Sequence, residues 1–168
     1  MAEVKVPNDW KPREHQLPLW RYMAGGGLRA VAVWHRRAGK DSAALNITAD
    51  QMFQRVGTYW HMLPEKEQAR KAIWNGIDRD GRRIIDQFLP LSLRKKTIDD
   101  EMLIQTINGS FWQVVGSDSY NSLVGANPVG VVFSEYSVGN PAAWDYIRPI
   151  LAENGGWAIF LYTPRGRN

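Results

Sequence analysis

Two periods of apolar residues alternate along this chain. Residues 28–34 (LRAVAVW), 56–63 (VGTYWHML), 129–133 (VGVVF) and 157–162 (WAIFLY) are short apolar runs bounded by turn residues, the pattern of buried strands. Between them the spacing is helical. Residues 40–54 place Ala44, Leu45, Thr48 and Met52 on one face, which predicts a helix lying against a sheet. A helix is predicted from about Glu14 to the Gly25-Gly26-Gly27 stop, and another from Pro64 onward with Ile73 and Ile77 continuing its apolar face. Asn140-Pro141 is an N-cap and first-turn pair that opens a helix through Trp144, Ile147 and Leu151; Pro149 is expected to kink or divide it, and Gly155-Gly156 to close it. Asn108-Gly109, between residues 102–107 and 110–115, is the strongest short hairpin signal in the chain. Residues 116–128 are polar and turn-rich, as in a surface loop near an edge of the sheet.

Strands alternating with helices predict an α/β class, and 168 residues with 44% hydrophobic content supply one domain with a substantial core. Eight Trp, six Tyr and five Phe strengthen that core. No apolar run approaches the roughly 18 residues of a membrane span and residues 1–11 have no secretory apolar region, so a soluble, intracellular chain is expected. With no Cys and three scattered His, disulfides and Cys-ligated zinc are excluded, and any metal must be met by carboxylate and hydroxyl oxygens. The net charge of +4 is uneven: residues 1–84 hold 15 Lys/Arg against 9 Asp/Glu, and residues 85–168 hold 6 against 8. A basic first half suits a polyphosphate or nucleic acid, although a mildly basic surface is usually only a solvated one. Arg79, Arg82, Arg83, Arg94, Lys95 and Lys96 flank the apolar IIDQFLPLSL, which reads either as a DNA-facing or subunit-facing surface or as the charged flanks of a packed helix.

Chemistry concentrates at residues 31–42, VAVWHRRAGKDS. A strand that stops abruptly, a basic turn, Gly39-Lys40 and a following helix are the parts of a phosphate-cradling loop: backbone N–H groups, a Lys for the outer phosphates and a helix N-terminus facing the anion. The strict G-x-x-x-x-G-K-[ST] pattern fails twice, with Trp34 at the first Gly position and Asp41 at the Ser/Thr position. His35, Arg36, Arg37, Ala38, Gly39, Lys40, Asp41 and Ser42 are the candidate phosphate-binding residues. About 90 residues later the apolar strand ending in Ser134-Glu135 completes the layout of a P-loop ATPase. Glu135, just past a strand whose carboxyl end opens toward the loop, is the candidate base for an attacking water. Such an enzyme takes a Mg²⁺-ligating hydroxyl from the loop and an Asp from the later strand; here the two are exchanged. Asp41 and Ser134 are therefore expected to hold Mg²⁺ together, directly or through water, with Ser42 in reserve. The plainer reading of Asp41 is an acid favoured by the helix dipole. Gln16, upstream of the loop, can read an adenine edge with its amide donor and acceptor, or is simply an exposed polar residue at a helix start.

Taken together, HRRAGKDS, VVFSEYS and LYTPRGR resemble the Arg-bearing Walker A loop, the Walker B strand with catalytic Glu and the coupling motif of the ATPase domain of large terminase subunits, the DNA-packaging motors of tailed bacteriophages. The resemblance runs over essentially the whole chain. It implies an ASCE-type P-loop fold, a three-layer sandwich with a mostly parallel central sheet and an added antiparallel hairpin. It also implies Mg²⁺-dependent ATP hydrolysis that drives double-stranded DNA into a procapsid. Lys40 and the loop backbone would bind phosphate, Arg36 act on the γ-phosphate in cis, Glu135 activate water, Thr163 couple hydrolysis to movement, and Gln16 recognise adenine. Implied partners are duplex DNA, further copies in a ring (five by family analogy), the portal and the small terminase, in the bacterial host cytoplasm and transiently on the procapsid.

Departures are visible too. The Arg that the family often carries before the Gly ahead of Walker B is Val124 here, so a trans-acting Arg would come from elsewhere, such as Arg79, Arg82 or Arg83. The chain stops after the coupling motif, so an isolated ATPase domain or a truncated product, without the family's nuclease, is expected. Rival readings are another P-loop translocase or helicase, a small-molecule kinase, which would need no Glu135 and would carry an Arg-bearing lid, and a degenerate nucleotide-binding module without turnover.

Overall fold

Side-chain alternation assigns the strand residues to two layers, because successive residues of a strand face opposite sides of its sheet. In the computed structural model, described over residues 10–35, 38–123 and 125–164, seven strands form one sheet: β1 (Arg29–Val33), β2 (Thr58–Leu63), β3 (Arg94–Ile98), β4 (Leu103–Thr106), β5 (Phe111–Gly116), β6 (Pro128–Phe133) and β7 (Trp157–Tyr162). Their order is β1-β7-β6-β2-β5-β4-β3. The first five in that order are parallel, and β4 and β3 add an antiparallel flank. A mostly parallel sheet with an antiparallel addition is the expected one, and β7 lies between the loop-bearing β1 and β6, which leads into Ser134-Glu135.

One face carries helices α1 (Leu17–Ala24), α2 (Lys40–Gln54), α3 (Lys66–Ala69) and α4 (Ile84–Phe88); their residues Leu19, Met23, Leu45, Met52, Ile85 and Phe88 pack with Tyr59, Leu63, Val132 and Ile159 of the sheet. The other face carries α5 (Pro141–Asn154), whose Ala143, Ile147 and Leu151 pack with Trp60, Met62, Val131, Phe133 and Phe160. This is a three-layer sandwich with two cores. At β2 the parity is explicit: Trp60 and Met62 face α5, so His61 between them must face α2.

The strand and helix assignments read from the pattern hold in outline, with five differences. β1 reads as a buried strand, but among the described residues it is an edge strand paired only with β7, and Val31 and Val33 are exposed. RKKTI carries no strand signal in the sequence; it is β3, the opposite edge, with Lys95 and Lys96 exposed, as edge strands commonly carry charge against unwanted pairing. Ile77 does not continue the α3 face: the helix passes into a π-helical turn at Arg70–Trp74 and ends, leaving Ile77 exposed. Pro149 does not divide α5, which runs unbroken for 14 residues between its Asn140 cap and Gly155 at φ +71°. The 116–128 loop is not at a sheet edge. It leaves β5 through a 3₁₀ segment, Ser117–Leu123, and returns to β6 on the other side of β2, so Ser119, Ser122 and Leu123 lie in a hollow with Trp60 of β2 and Val115 of β5.

The basic stretch divides accordingly. Arg94 is structural: its guanidinium bonds Asp86 Oδ1 at 2.7 Å and the carbonyls of Ile85 and Leu89 at 2.8 and 2.7 Å. Arg83 donates to the Trp74 carbonyl at 2.7 Å and lies over its indole, and Arg82 pairs with Asp78 and Asp80. IIDQFLPLSL contributes Ile85, Phe88, Leu89 and Leu93 to the core of this region, while Leu91 stays exposed.

Candidate nucleotide and metal site

Gly39 decides the shape of the loop. It sits at φ +75° as the N-cap of α2, a left-handed conformation that L side chains rarely adopt, and a Cβ there would lie 2.7 Å from Gln16 Nε2. Gly39→Ala is therefore expected to cost about 1–3 kcal/mol of stability. Phosphate binding should suffer more than the thermal midpoint, as checked by thermal unfolding alongside ATP titration.

Around Gly39 the loop is held by neighbours. Gln16 is 2% exposed rather than a surface residue. Its Oε1 accepts from the Arg13 amide at 3.0 Å and its Nε2 donates to the carbonyls of Ala38 and Gly39 at 2.9 and 3.3 Å. His15 Nε2 also donates to the Ala38 carbonyl, at 2.9 Å. Lys40, at the first position of α2, lies buried along the loop with Nζ donating to the Trp34 and His35 carbonyls, both at 3.3 Å. These are long bonds to neutral acceptors, which an anion could replace. Trp34 extends the pairing of β1 with β7 by donating to the Tyr162 carbonyl at 3.1 Å. Ser42 is exposed beside Asp41 and, with it, lines a cavity of about 220 Å³ against Ile84 and Phe88. Arg36, Arg37 and Val124 lie outside the described residues.

The ends of β6 and β7 meet the loop through side chains. Ser134 Oγ donates to Asp41 Oδ1 at 2.8 Å, and Thr163 Oγ1 donates to Glu135 Oε1 at 3.2 Å. Asp41 thus joins the start of α2 to the strand end that carries Glu135. Glu135 itself has φ +52° and ψ +43°, a left-handed conformation costing a non-glycine residue about 1–2 kcal/mol. Such strain recurs where a side chain must be aimed. Glu135→Asn should relieve part of it, raising stability by up to about 1 kcal/mol or roughly 2–4 °C in Tm for a domain of this size, with loss of turnover. Unfolding by calorimetry beside an ATPase assay checks both halves.

A third group belongs to no motif of the sequence. His61, on β2, is fully buried, and its Nε2 donates to the same Asp41 Oδ1 at 2.8 Å. The available signal was parity: a His at the centre of an apolar strand, on the side opposite Trp60 and Met62. Burial alone would raise the pKa of Asp41. The hydrogen bond and electrostatic attraction of the His61 imidazole, the Ser134 hydroxyl and the nearby Lys40 ammonium outweigh it and hold the carboxyl below the usual Asp value. Asp41 is therefore an anion throughout the neutral range. Its Oδ2 makes no hydrogen bond among the described residues, and Ser134 Oγ spends its proton on Oδ1 and keeps its lone pairs. An ionised carboxylate oxygen and a hydroxyl oxygen side by side are hard donors that suit Mg²⁺ completed by waters and phosphate. Among the described residues no cluster of three or more His, Cys, Asp or Glu side chains could hold a metal by itself.

No protein-family model matches the chain. It is 25% identical to the large terminase subunit of Thermus virus P23-45 across 95% of its own length, and equally to that of Thermus phage G20c. Both of these similar proteins are phage large terminase subunits. The chain spans about a third (35%) of the length of these relatives. Among solved structures, the large terminase ATPase domain of Thermus phage P74-26 superposes with a TM-score of 0.72 at 21% identity, covering 95% of this chain and 67% of that one. The large terminase of another thermophilic bacteriophage, in a complex with ADP, superposes with a TM-score of 0.65 at 12% identity over 89% of this chain and 38% of that one. The three-layer sandwich, with its mostly parallel sheet and antiparallel flank, thus shares the fold of terminase ATPase domains, as the sequence led one to expect. No helix among the described residues is long and apolar enough to cross a membrane.

Proposed function

We propose that this chain binds ATP with Mg²⁺ and hydrolyses it to drive double-stranded viral DNA into a procapsid. The observation that carries the reading is the hydrogen bond between Asp41 and Ser134, because it closes the phosphate loop onto the strand end that bears Glu135. The terminase relatives and the ADP complex of a terminase with this fold support the same reading.

In this reading the phosphates lie at the N-terminus of α2, held by backbone amides of the loop and by the Lys40 ammonium. Lys40 exchanges the Trp34 and His35 carbonyls for phosphate oxygens, and Arg36 and Arg37 add positive charge from the loop, Arg36 at the γ-phosphate. Asp41 and Ser134 would hold Mg²⁺, whose positive charge would offset that of the phosphates. Glu135 orients a water and accepts its proton. Thr163, bonded to Glu135, senses the change of state at that carboxylate and passes it to the end of β7. Gln16 reads adenine with the amide that otherwise holds Ala38 and Gly39, so base binding and loop position are linked. Duplex DNA, a ring of copies, the portal and the small terminase are the partners of this reading, and the host cytoplasm, with transient docking on the procapsid, is its location.

The test is ATP binding and Mg²⁺-dependent hydrolysis by the purified chain, with and without duplex DNA. Turnover that requires Mg²⁺ and rises with duplex DNA is expected. Binding without turnover in any condition would reduce the chain to a nucleotide-binding module, and strand separation would make it a helicase.

A further inference from the structure

We propose that His61 is a positioning residue that presets the metal-binding carboxylate, fixing Asp41 through Oδ1 so that Oδ2 stays open to the cation. The inference rests on the reading that Asp41 and Ser134 hold Mg²⁺ beside ATP.

His61 occupies a costly place. It is 0% exposed in the middle of β2, and its Nδ1 has no hydrogen-bond partner among the described residues. Leaving a buried polar nitrogen unpaired costs about 1–3 kcal/mol, so an apolar residue would serve the core better. What the imidazole gains is Asp41, and the geometry of that contact is specific. The terminal torsion of an Asp side chain is broad and nearly two-fold, so one donor would let the carboxylate rock or exchange its oxygens. Here two donors converge on one oxygen, His61 Nε2 and Ser134 Oγ, each at 2.8 Å. They reach it from adjacent strands. His61 is in register with Val132, and the Ser134 amide donates to the Met62 carbonyl at 2.8 Å. The pairing of β2 with β6 therefore sets the separation of the two donors, and the sheet orients the carboxylate before any nucleotide arrives. Outer groups that orient a ligand in this way typically change metal affinity by about 10–100-fold when lost.

Two polar substitutions of similar size separate orientation from packing. In His61→Gln the side-chain amide nitrogen reaches the place of the imidazole Nε2; in His61→Asn it falls short. Binding of Mn²⁺, as a paramagnetic stand-in for Mg²⁺, is measured by electron paramagnetic resonance on the chain loaded with a non-hydrolysable ATP analogue. Binding of the analogue alone is measured in EDTA. His61→Asn should weaken Mn²⁺ binding by about 10–100-fold and His61→Gln by no more than about threefold, with metal-free analogue binding alike in all three proteins. Equal Mn²⁺ affinity in wild type and His61→Asn, or a Gln variant as weak as the Asn variant, would overturn the proposal while leaving ATP binding intact. A wild-type chain that binds no analogue with or without metal would instead overturn the functional reading, and the proposal with it. If neither variant folds, the ¹⁵N resonances of the wild-type imidazole decide. A hydrogen-bonded Nε2 that shifts when Mg²⁺ joins the analogue complex supports the proposal, and one that does not move contradicts it.

Discussion

Replacing Glu135 with Gln is expected to lower ATP turnover by about 10²–10⁴-fold, the range by which a positioned general base contributes. ATP affinity should stay unchanged or tighten. Gln keeps the shape of the side chain and its carbonyl oxygen still accepts from Thr163 Oγ1, which lies 3.2 Å from Glu135 Oε1. What it loses is the basic oxygen and one negative charge close to the γ-phosphate. Losing the base removes proton transfer from the attacking water; losing the charge removes a repulsion that opposes binding. The two effects fall on different constants, so single-turnover hydrolysis and equilibrium ATP binding on the same protein separate them. A fall in both together would mean that Glu135 holds the loop rather than the water.

Legibility in the sequence followed how far each signal depends on neighbours. β7 and α2 were readable to their ends because a continuous apolar run and a 3.6-residue face are local properties; residues 157–162 and 40–54 match the elements found. Val31 and Val33 look like core residues in any local window, and only the sheet order, which puts β1 at an edge, exposes them. β3 was hidden for the opposite reason. RKKTI has no alternation, since its charged side chains serve an edge rather than a core. Pro149 misled because Pro rules describe a helix by itself, whereas α5 is fixed at Asn140, at Gly155 and along its packed face. At the site, Asp41 and Ser134 could be paired on paper because each stood where the other's chemistry was expected. His61 could not, since its contact with Asp41 depends on which side of β2 faces α2. Gln16 was legible as a residue near the loop but not as one of its holders, because its bonds to Ala38 and Gly39 span more than twenty positions.

The exchange of carboxylate and hydroxyl between the loop and β6 makes the sharpest demand on the site. Asp41→Thr alone should cut Mg²⁺-dependent hydrolysis by at least about tenfold, because the metal loses its anionic ligand and His61 loses its carboxylate. Ser134→Asp alone should do the same by another route. It sets a second carboxylate against the first across what is now a 2.8 Å contact, so one of the two is driven to take up a proton. In the double variant one hydroxyl and one carboxylate are again side by side, with the carboxylate on β6 as in the usual pattern. Each single variant leaves a mismatch that the other repairs, and residues in direct contact couple by about 0.5–3 kcal/mol. The deciding measurement is the double-mutant cycle of Asp41→Thr and Ser134→Asp on hydrolysis as a function of Mg²⁺ concentration. Recovery of the double variant to well above either single one, at a Mg²⁺ requirement near that of the wild type, is the predicted result; losses that simply multiply would contradict a metal site shared between Asp41 and Ser134.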